Sequence, residues 1–107
     1  MNKTYEEIFT EILEDAEVLH SNGYFSNKEV EVSDGGFELY DQAGFINVYF
    51  DPDSQSYKVE VHSEYVEEDE LDYEEFRGKG FNNLIDVLSE LEIGWFMLID
   101  NWDKYKI

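Results

Sequence analysis

Val30-Glu31-Val32-Ser33-Asp34-Gly35-Gly36-Phe37-Glu38-Leu39-Tyr40 is the stretch that decides how the chain folds. Val30 and Val32 alternate with Glu29 and Glu31, and Phe37 and Leu39 alternate with Glu38 and Tyr40. That period of two marks strands with one buried face. Asp34-Gly35-Gly36 between them supplies residues that accept positive φ, so the two runs fold back on each other as a tight hairpin. Downstream, after Gln42-Ala43-Gly44, the run Phe45–Phe50 (FINVYF) is apolar at both parities. It predicts a central strand covered on each side. Asp51-Pro52-Asp53-Ser54-Gln55-Ser56 reads as a turn. Tyr57–Tyr65 then reads as a fourth strand, with Tyr57, Val59 and Val61 on one face and Lys58, Glu60, His62 and Glu64 on the other. The four runs form an antiparallel meander.

Helices flank this sheet. Upstream, Thr4 and Glu7 have the capping-box spacing ahead of Tyr5, Ile8, Phe9, Ile12, Leu13, Ala16 and Leu19. Intervals of three and four predict a helix over Thr4–Ser21 with Glu6, Glu7, Glu11, Glu14, Asp15 and Glu17 on its wet side, stopped by Gly23. Downstream, Phe81, Leu84, Ile85, Leu88 and Leu91 predict a second amphipathic helix over about Phe81–Glu92, ended near Gly94. The tail WFMLIDNWDKYKI is apolar through Ile99, and periodicity leaves it open between strand and helix. Each helix has a single apolar stripe and needs one sheet face. The expected fold is therefore a single α+β domain over residues 1–107: an N-terminal helix, a four-stranded antiparallel meander, a second helix and an apolar C-terminal segment packed on the sheet.

Between the fourth strand and the second helix lies Tyr65–Phe76, YVEEDELDYEEF. Seven of the nine residues from Glu67 to Glu75 are acidic: Glu67, Glu68, Asp69, Glu70, Asp72, Glu74 and Glu75. A plain acidic linker lacks aromatics and repels itself into disorder. This one has Tyr65, Val66, Leu71, Tyr73 and Phe76 to pin it to a core while its carboxylates face out. Arg77-Gly78-Lys79-Gly80 follows as a small basic hinge.

The whole chain carries a formal charge of −20, from 27 acids against 7 bases. Hydrophobic content of 42% with 17% aromatics gives it a core despite that charge. Such a surface excludes direct nucleic-acid binding and is repelled by anionic membranes. With no Cys there are no disulfides, thiol nucleophiles or thiolate metal sites. The first residues have no apolar run of signal-peptide length, so the expected location is the cytosol.

No catalytic motif stands out, and neither an enzyme nor a cofactor is expected. His20 and His62 lie on different elements, 42 positions apart. Asp51-x-Asp53-x-Gln55 starts like a calcium loop, but His62 stands at the twelfth position and no Gly at the sixth, so no metal site is expected. Gly78-Lys79-Gly80 lacks the spacing of a phosphate loop. Charge geometry remains. Carboxylates two apart on a strand stand about 6.6 Å apart, and DNA has a phosphate per ~3.4 Å of axis on each strand. Carboxylates on a rigid scaffold, from Glu29, Glu31, Glu38, Glu60, Glu64 and the Glu67–Glu75 stretch, are therefore able to stand in for a run of phosphates. Sixteen acids from Glu29 to Glu75 face one base, Lys58.

In size, charge, lack of cysteine and mixed α/β pattern the chain resembles the small phage-encoded DNA mimics that inhibit CRISPR nucleases, restriction enzymes or uracil-DNA glycosylase. The resemblance is one of type and carries no residue over. It implies an inhibitor that mimics phosphates and blocks the DNA-binding surface of a nuclease in the host cytosol. The partner-binding residues expected from the stretch itself are Glu67, Glu68, Asp69, Glu70, Asp72, Glu74 and Glu75 for charge and Tyr73 as an anchor. An edge-of-core role for Tyr73 stands beside that one. Two other readings use the same composition: an immunity protein or antitoxin that plugs a basic nuclease toxin, and an acidic domain whose charge serves solubility alone. The partner's identity and the oligomeric state stay open.

Overall fold

The computed structural model describes residues 3–19, 32–41, 44–63, 73–91, 96 and 99–107. In chain order these form α1 (Tyr5–Leu19), β1 (Val32–Ser33), β2 (Gly36–Asp41), β3 (Gly44–Phe50), β4 (Ser56–Ser63), β5 (Tyr73–Lys79), α2 (Phe81–Ser89) and a short 3₁₀ turn at Trp102–Tyr105. The strands pair antiparallel in the order β1-β2-β3-β4-β5, a meander with β3 at its centre. The fold is α+β, and the expected four strands are five.

The additional strand, β5, takes up the end of the acidic stretch and most of the segment read as a basic hinge. Its register runs from His62↔Tyr73 to Ser56↔Lys79. Only Phe76 on its inward parity is apolar, with Glu74 and Gly78 at the neighbouring inward positions. An apolar alternation one residue long is invisible against the surrounding charge. Edge strands commonly carry charges that discourage further pairing, which suits Glu74, Glu75, Arg77 and Lys79.

Both helices cover the same sheet face. Ile8, Phe9, Ile12, Leu13 and Ala16 of α1 and Phe81, Leu84, Ile85 and Leu88 of α2 enter one core with Phe37, Leu39, Ile46, Val48, Phe50, Val59 and Val61. Phe9 packs its ring 5.5 Å from Phe37 and 5.6 Å from Phe81, and Phe50 meets Phe81 at 5.4 Å. The C-terminal segment completes the core with Phe96, Ile99, Trp102 and Tyr105. Asn82 and Ile107 fasten its end, exchanging bonds of 2.9 and 2.8 Å between amide side chain and backbone.

The helix starts bear out the capping signal in part. Thr4 Oγ1 accepts from the Glu7 N–H at 3.1 Å, and Asp34 in the β1–β2 turn accepts from the Glu6 N–H at 2.8 Å. The start of α2 has no cap of its own. Gln55, in the β3–β4 turn, accepts there instead: its carbonyl from the Gly80 N–H at 2.7 Å and its Oε1 from the Phe81 N–H at 3.4 Å. The Gln55 amide also donates to the Tyr5 hydroxyl at 2.9 Å, so one turn residue joins both helices.

Candidate functional site

Both described helices lie on one side, and among the described residues no helix or strand covers the other face of the sheet. The expected cover on each side of central strand β3 is therefore seen on one side only among the described residues. Ile46, Val48 and Phe50 are buried, whereas Phe45 and Asn47 are part-buried and Tyr49 is 41% exposed. The apolar content of FINVYF at both parities reflects a second face that carries the aromatic rings Phe45 and Tyr49.

The register sorts this face into rows that run across the strands. One is aromatic: Phe45↔His62↔Tyr73. The next holds oxygen acceptors: Glu38↔Asn47↔Glu60↔Glu75. The third is Tyr49↔Lys58↔Arg77. Cross-strand neighbours on one face have Cβ atoms about 4.5–5.5 Å apart, close enough for each row to act as a unit.

Local bonds set the charge balance. Arg77 Nε donates to Glu75 at 2.9 Å, and Lys58 lies 3.5 Å from Glu60 and 4.6 Å from the Tyr49 ring centre. The Tyr73 hydroxyl donates to Glu60. The Tyr73 hydrogen bond holds the Glu60 carboxyl below the ordinary range against the opposing effect of burial, and Lys58 lowers it further. In return the Glu60 hydrogen bond pushes the Tyr73 hydroxyl up to about 12. Arg77 lowers Glu75 by hydrogen bond and charge. His62 stacks on Phe45 with ring centres 5.3 Å apart.

Of the residues expected to bind a partner, Tyr73, Glu74 and Glu75 fall in β5 and are exposed. Tyr73 and Glu75 share the open face, and Tyr73, at 45% exposed, is no edge-of-core residue. Glu74, opposite Val61, has the parity of the helix-bearing face, so the two adjacent glutamates do not act together. Glu67, Glu68, Asp69, Glu70 and Asp72 lie outside the described residues, as do Glu29, Glu31, Glu64 and His20.

Asn47, Arg77 and the Phe45–His62 stack were missed as parts of a surface. The outward parity Phe45, Asn47, Tyr49 was readable. Its juxtaposition with Glu38 and Glu60 needed the strand register.

Elsewhere three more cations pair with carboxylates of the chain itself. Lys3 pairs with Glu11, Lys104 with Asp15 at 3.2 Å, and Lys106 with Asp86 at 2.7 Å and Asp103 at 3.1 Å. Asp51 closes the β3–β4 turn. Its carboxylate accepts from the Asp53 N–H and the Ser54 hydroxyl at 3.0 Å each, and these bonds lower its pKa. No group of three or more metal-ligating side chains occurs among the described residues, and none of their helices is long and apolar enough to cross a membrane. The chain matches no protein-family model, and comparisons with curated proteins and with solved structures give no match.

Proposed function

We propose that this protein is an acidic inhibitor that stands in for nucleic-acid phosphates and occupies the DNA-binding surface of a nuclease, of the anti-CRISPR or anti-restriction kind. The observation that carries the reading is charge: −20 on 107 residues, with Lys3, Lys58, Arg77, Lys104 and Lys106 each tied to a carboxylate of the chain itself. A net charge of about 2–8 is ample for the solubility of a small domain. The excess makes a long-range field that steers a cationic surface toward the protein and speeds encounter. Aromatics set among acids on a rigid sheet supply the short-range anchors that fix such a contact.

The test is competition. A partner is captured from host lysate at low salt, released at high salt and identified. Duplex DNA and this protein are then offered to it together. Mutual exclusion is expected, and reversal of Glu67, Glu68, Asp69 and Glu70 to Lys should abolish it while circular dichroism stays unchanged. Simultaneous binding of both, or full inhibition by the reversed variant, overturns the reading. If nothing is retained at any salt concentration, the charge serves solubility alone.

A further inference from the structure

β5 is an edge strand: among the described residues it pairs with β4 and with no strand on its far side. The register shows which of its backbone groups point that way. Gln55 and Gly80 stand one step beyond the Ser56↔Lys79 pair, and the Gly80 N–H donates to the Gln55 carbonyl at 2.7 Å. Bonded and non-bonded pairs alternate along an antiparallel ladder. Gly80, Gly78, Phe76 and Glu74 therefore turn their backbone groups to β4, and Lys79, Arg77, Glu75 and Tyr73 turn theirs to the free edge. In keeping with this, the Lys79 carbonyl accepts from the Asn83 side-chain amide at 2.7 Å and not from β4.

We propose that β5 pairs with β5 of a second copy, antiparallel about a two-fold axis at Phe76, so that two five-stranded sheets become one. The strand, YEEFRGK, is complementary to its own reverse. About that axis Glu75 of each copy opposes Arg77 of the other, Tyr73 opposes Lys79, and Glu74 opposes Gly78. No like charges face each other. An axis one residue to either side would set Glu75 on Glu75 or Arg77 on Arg77. The Phe76 register also matches the backbone, because Glu75 and Arg77 both address the free edge and exchange both bonds of a bonded pair.

The side chains have capacity for this contact. Arg77 gives Nε and Nη2 to its own Glu75, and the other N–H donors of a side chain that is 69% exposed stay available. Two copies thus close a ring of four alternating charges. Lys79 is in no ion pair among the described residues and comes against the exposed ring of Tyr73. Charges on an edge discourage pairing with strands of another pattern; this pattern admits itself. Two bodies of −20 charge still repel and an edge contact is small, so the association is weak and strengthens as salt screens the repulsion. Edge pairing leaves the faces of the sheet uncovered, so the dimer does not rest on the nuclease reading.

Sedimentation equilibrium of the full chain, over a concentration series at low and physiological salt, tests the dimer. The mass is expected to rise from one chain toward two, further at physiological salt. Amide hydrogen exchange should show Glu75 and Arg77 gaining protection with concentration, while Glu74 and Phe76, already bonded to β4, do not change. Glu75→Arg sets Arg against Arg, and Arg77→Glu sets Glu against Glu. Each is expected to weaken self-association by about tenfold or more. Glu75→Arg should do so although it lowers the net charge, which separates register from bulk repulsion. Mixed in equal amounts, the two single variants regain opposite pairs and should associate with each other. The chain that carries both substitutions keeps the parent's net charge and should associate as the parent does. Both residues are exposed, and thermal melts verify that the variants remain folded. A parent that is monomeric at every concentration and salt, a dimer that persists in both single variants, or a mixture that stays monomeric overturns the proposal.

Discussion

The hydroxyl of Tyr105 donates to the carboxylate of Asp15, 90 positions away, and so fastens the end of the chain to α1. Burial pushes the Asp15 carboxyl up, but the Tyr105 hydroxyl and the Lys104 ammonium together outweigh it and hold the group below its ordinary range. A depressed folded-state pKa contributes stability that is fully present above the unfolded value of about 3.9 and is lost as pH falls through the folded one. Tyr105→Phe keeps the buried ring and removes the donor. At neutral pH it should cost about 1 kcal/mol, below the usual range for a bond to a charged group because Asp15 is partly solvated. The gap should close below about pH 4. Denaturant melts of both proteins across this range test it, and the repulsion common to both cancels in the difference. A gap constant to the lowest pH would mean that the charge on Asp15 contributes nothing.

Gly36 takes the positive φ of the hairpin, 121°, and a Cβ there would stand 1.8 Å from the Val48 carbonyl oxygen on the neighbouring strand. Strain in such a backbone conformation costs on the order of 1–3 kcal/mol by itself, and the contact with backbone adds to it. Gly36→Ala should therefore destabilise by at least about 3 kcal/mol. Gly35, whose Cβ would meet nothing closer than 3.4 Å, should tolerate Ala far better. Equal melting temperatures for the two variants would show that the β2–β3 spacing relaxes to admit the methyl group.

Salt should stabilise the protein. The cations of the described residues are largely committed to local pairs, so the remaining carboxylates repel across the surface, and the Debye length falls to about 10 Å at 0.1 M. Melting temperature is expected to rise between low and physiological ionic strength, and to be indifferent to a chelator. A flat or falling salt profile would reveal counter-charge bound by the carboxylates. A large loss of stability with chelator would identify that counter-charge as a metal.

How much of this was legible in the sequence varied with the kind of signal. The face of α1, the Asp34-Gly35-Gly36 hairpin and the strand at Tyr57 came from local period and turn chemistry, which a single segment carries within itself. β5 was hidden because its inward parity holds one apolar residue among charges. The bonds made by Gln55 were hidden for another reason: a glutamine in a turn has no pattern, and its role comes from two helices brought to it by the rest of the chain. For the surface, the candidates Glu38, Glu60, Tyr73 and Glu75 were readable one by one as outward-facing. Their grouping around Asn47 was not, because a row across a sheet is a property of register. Glu74 and Glu75, adjacent in sequence, were read as one charge cluster and sit on opposite parities of one strand.

Tyr73 provides the last prediction, since the anchor role proposed for it depends on how its hydroxyl is held. The hydrogen bond to Glu60 is the largest cause of its rise to about 12, ahead of burial and the nearby carboxylate charges. Glu60→Gln retains an acceptor but removes the charge, so Tyr73 should ionise closer to the ordinary value of about 10. The sign for stability follows. A tyrosine whose folded pKa is raised contributes stability below its unfolded pKa and loses it as pH rises through the folded value. The parent's alkaline loss at this residue should therefore fall between about 10 and 12, and in Glu60→Gln the upper limit should move down. NMR of ring-labelled tyrosine, assigned with Tyr73→Phe, resolves this residue from the other seven. If its titration is unmoved in Glu60→Gln, the ring is held by something other than that carboxylate. Tyr73 and Glu60 would then have to be tested as separate contributors to any partner contact.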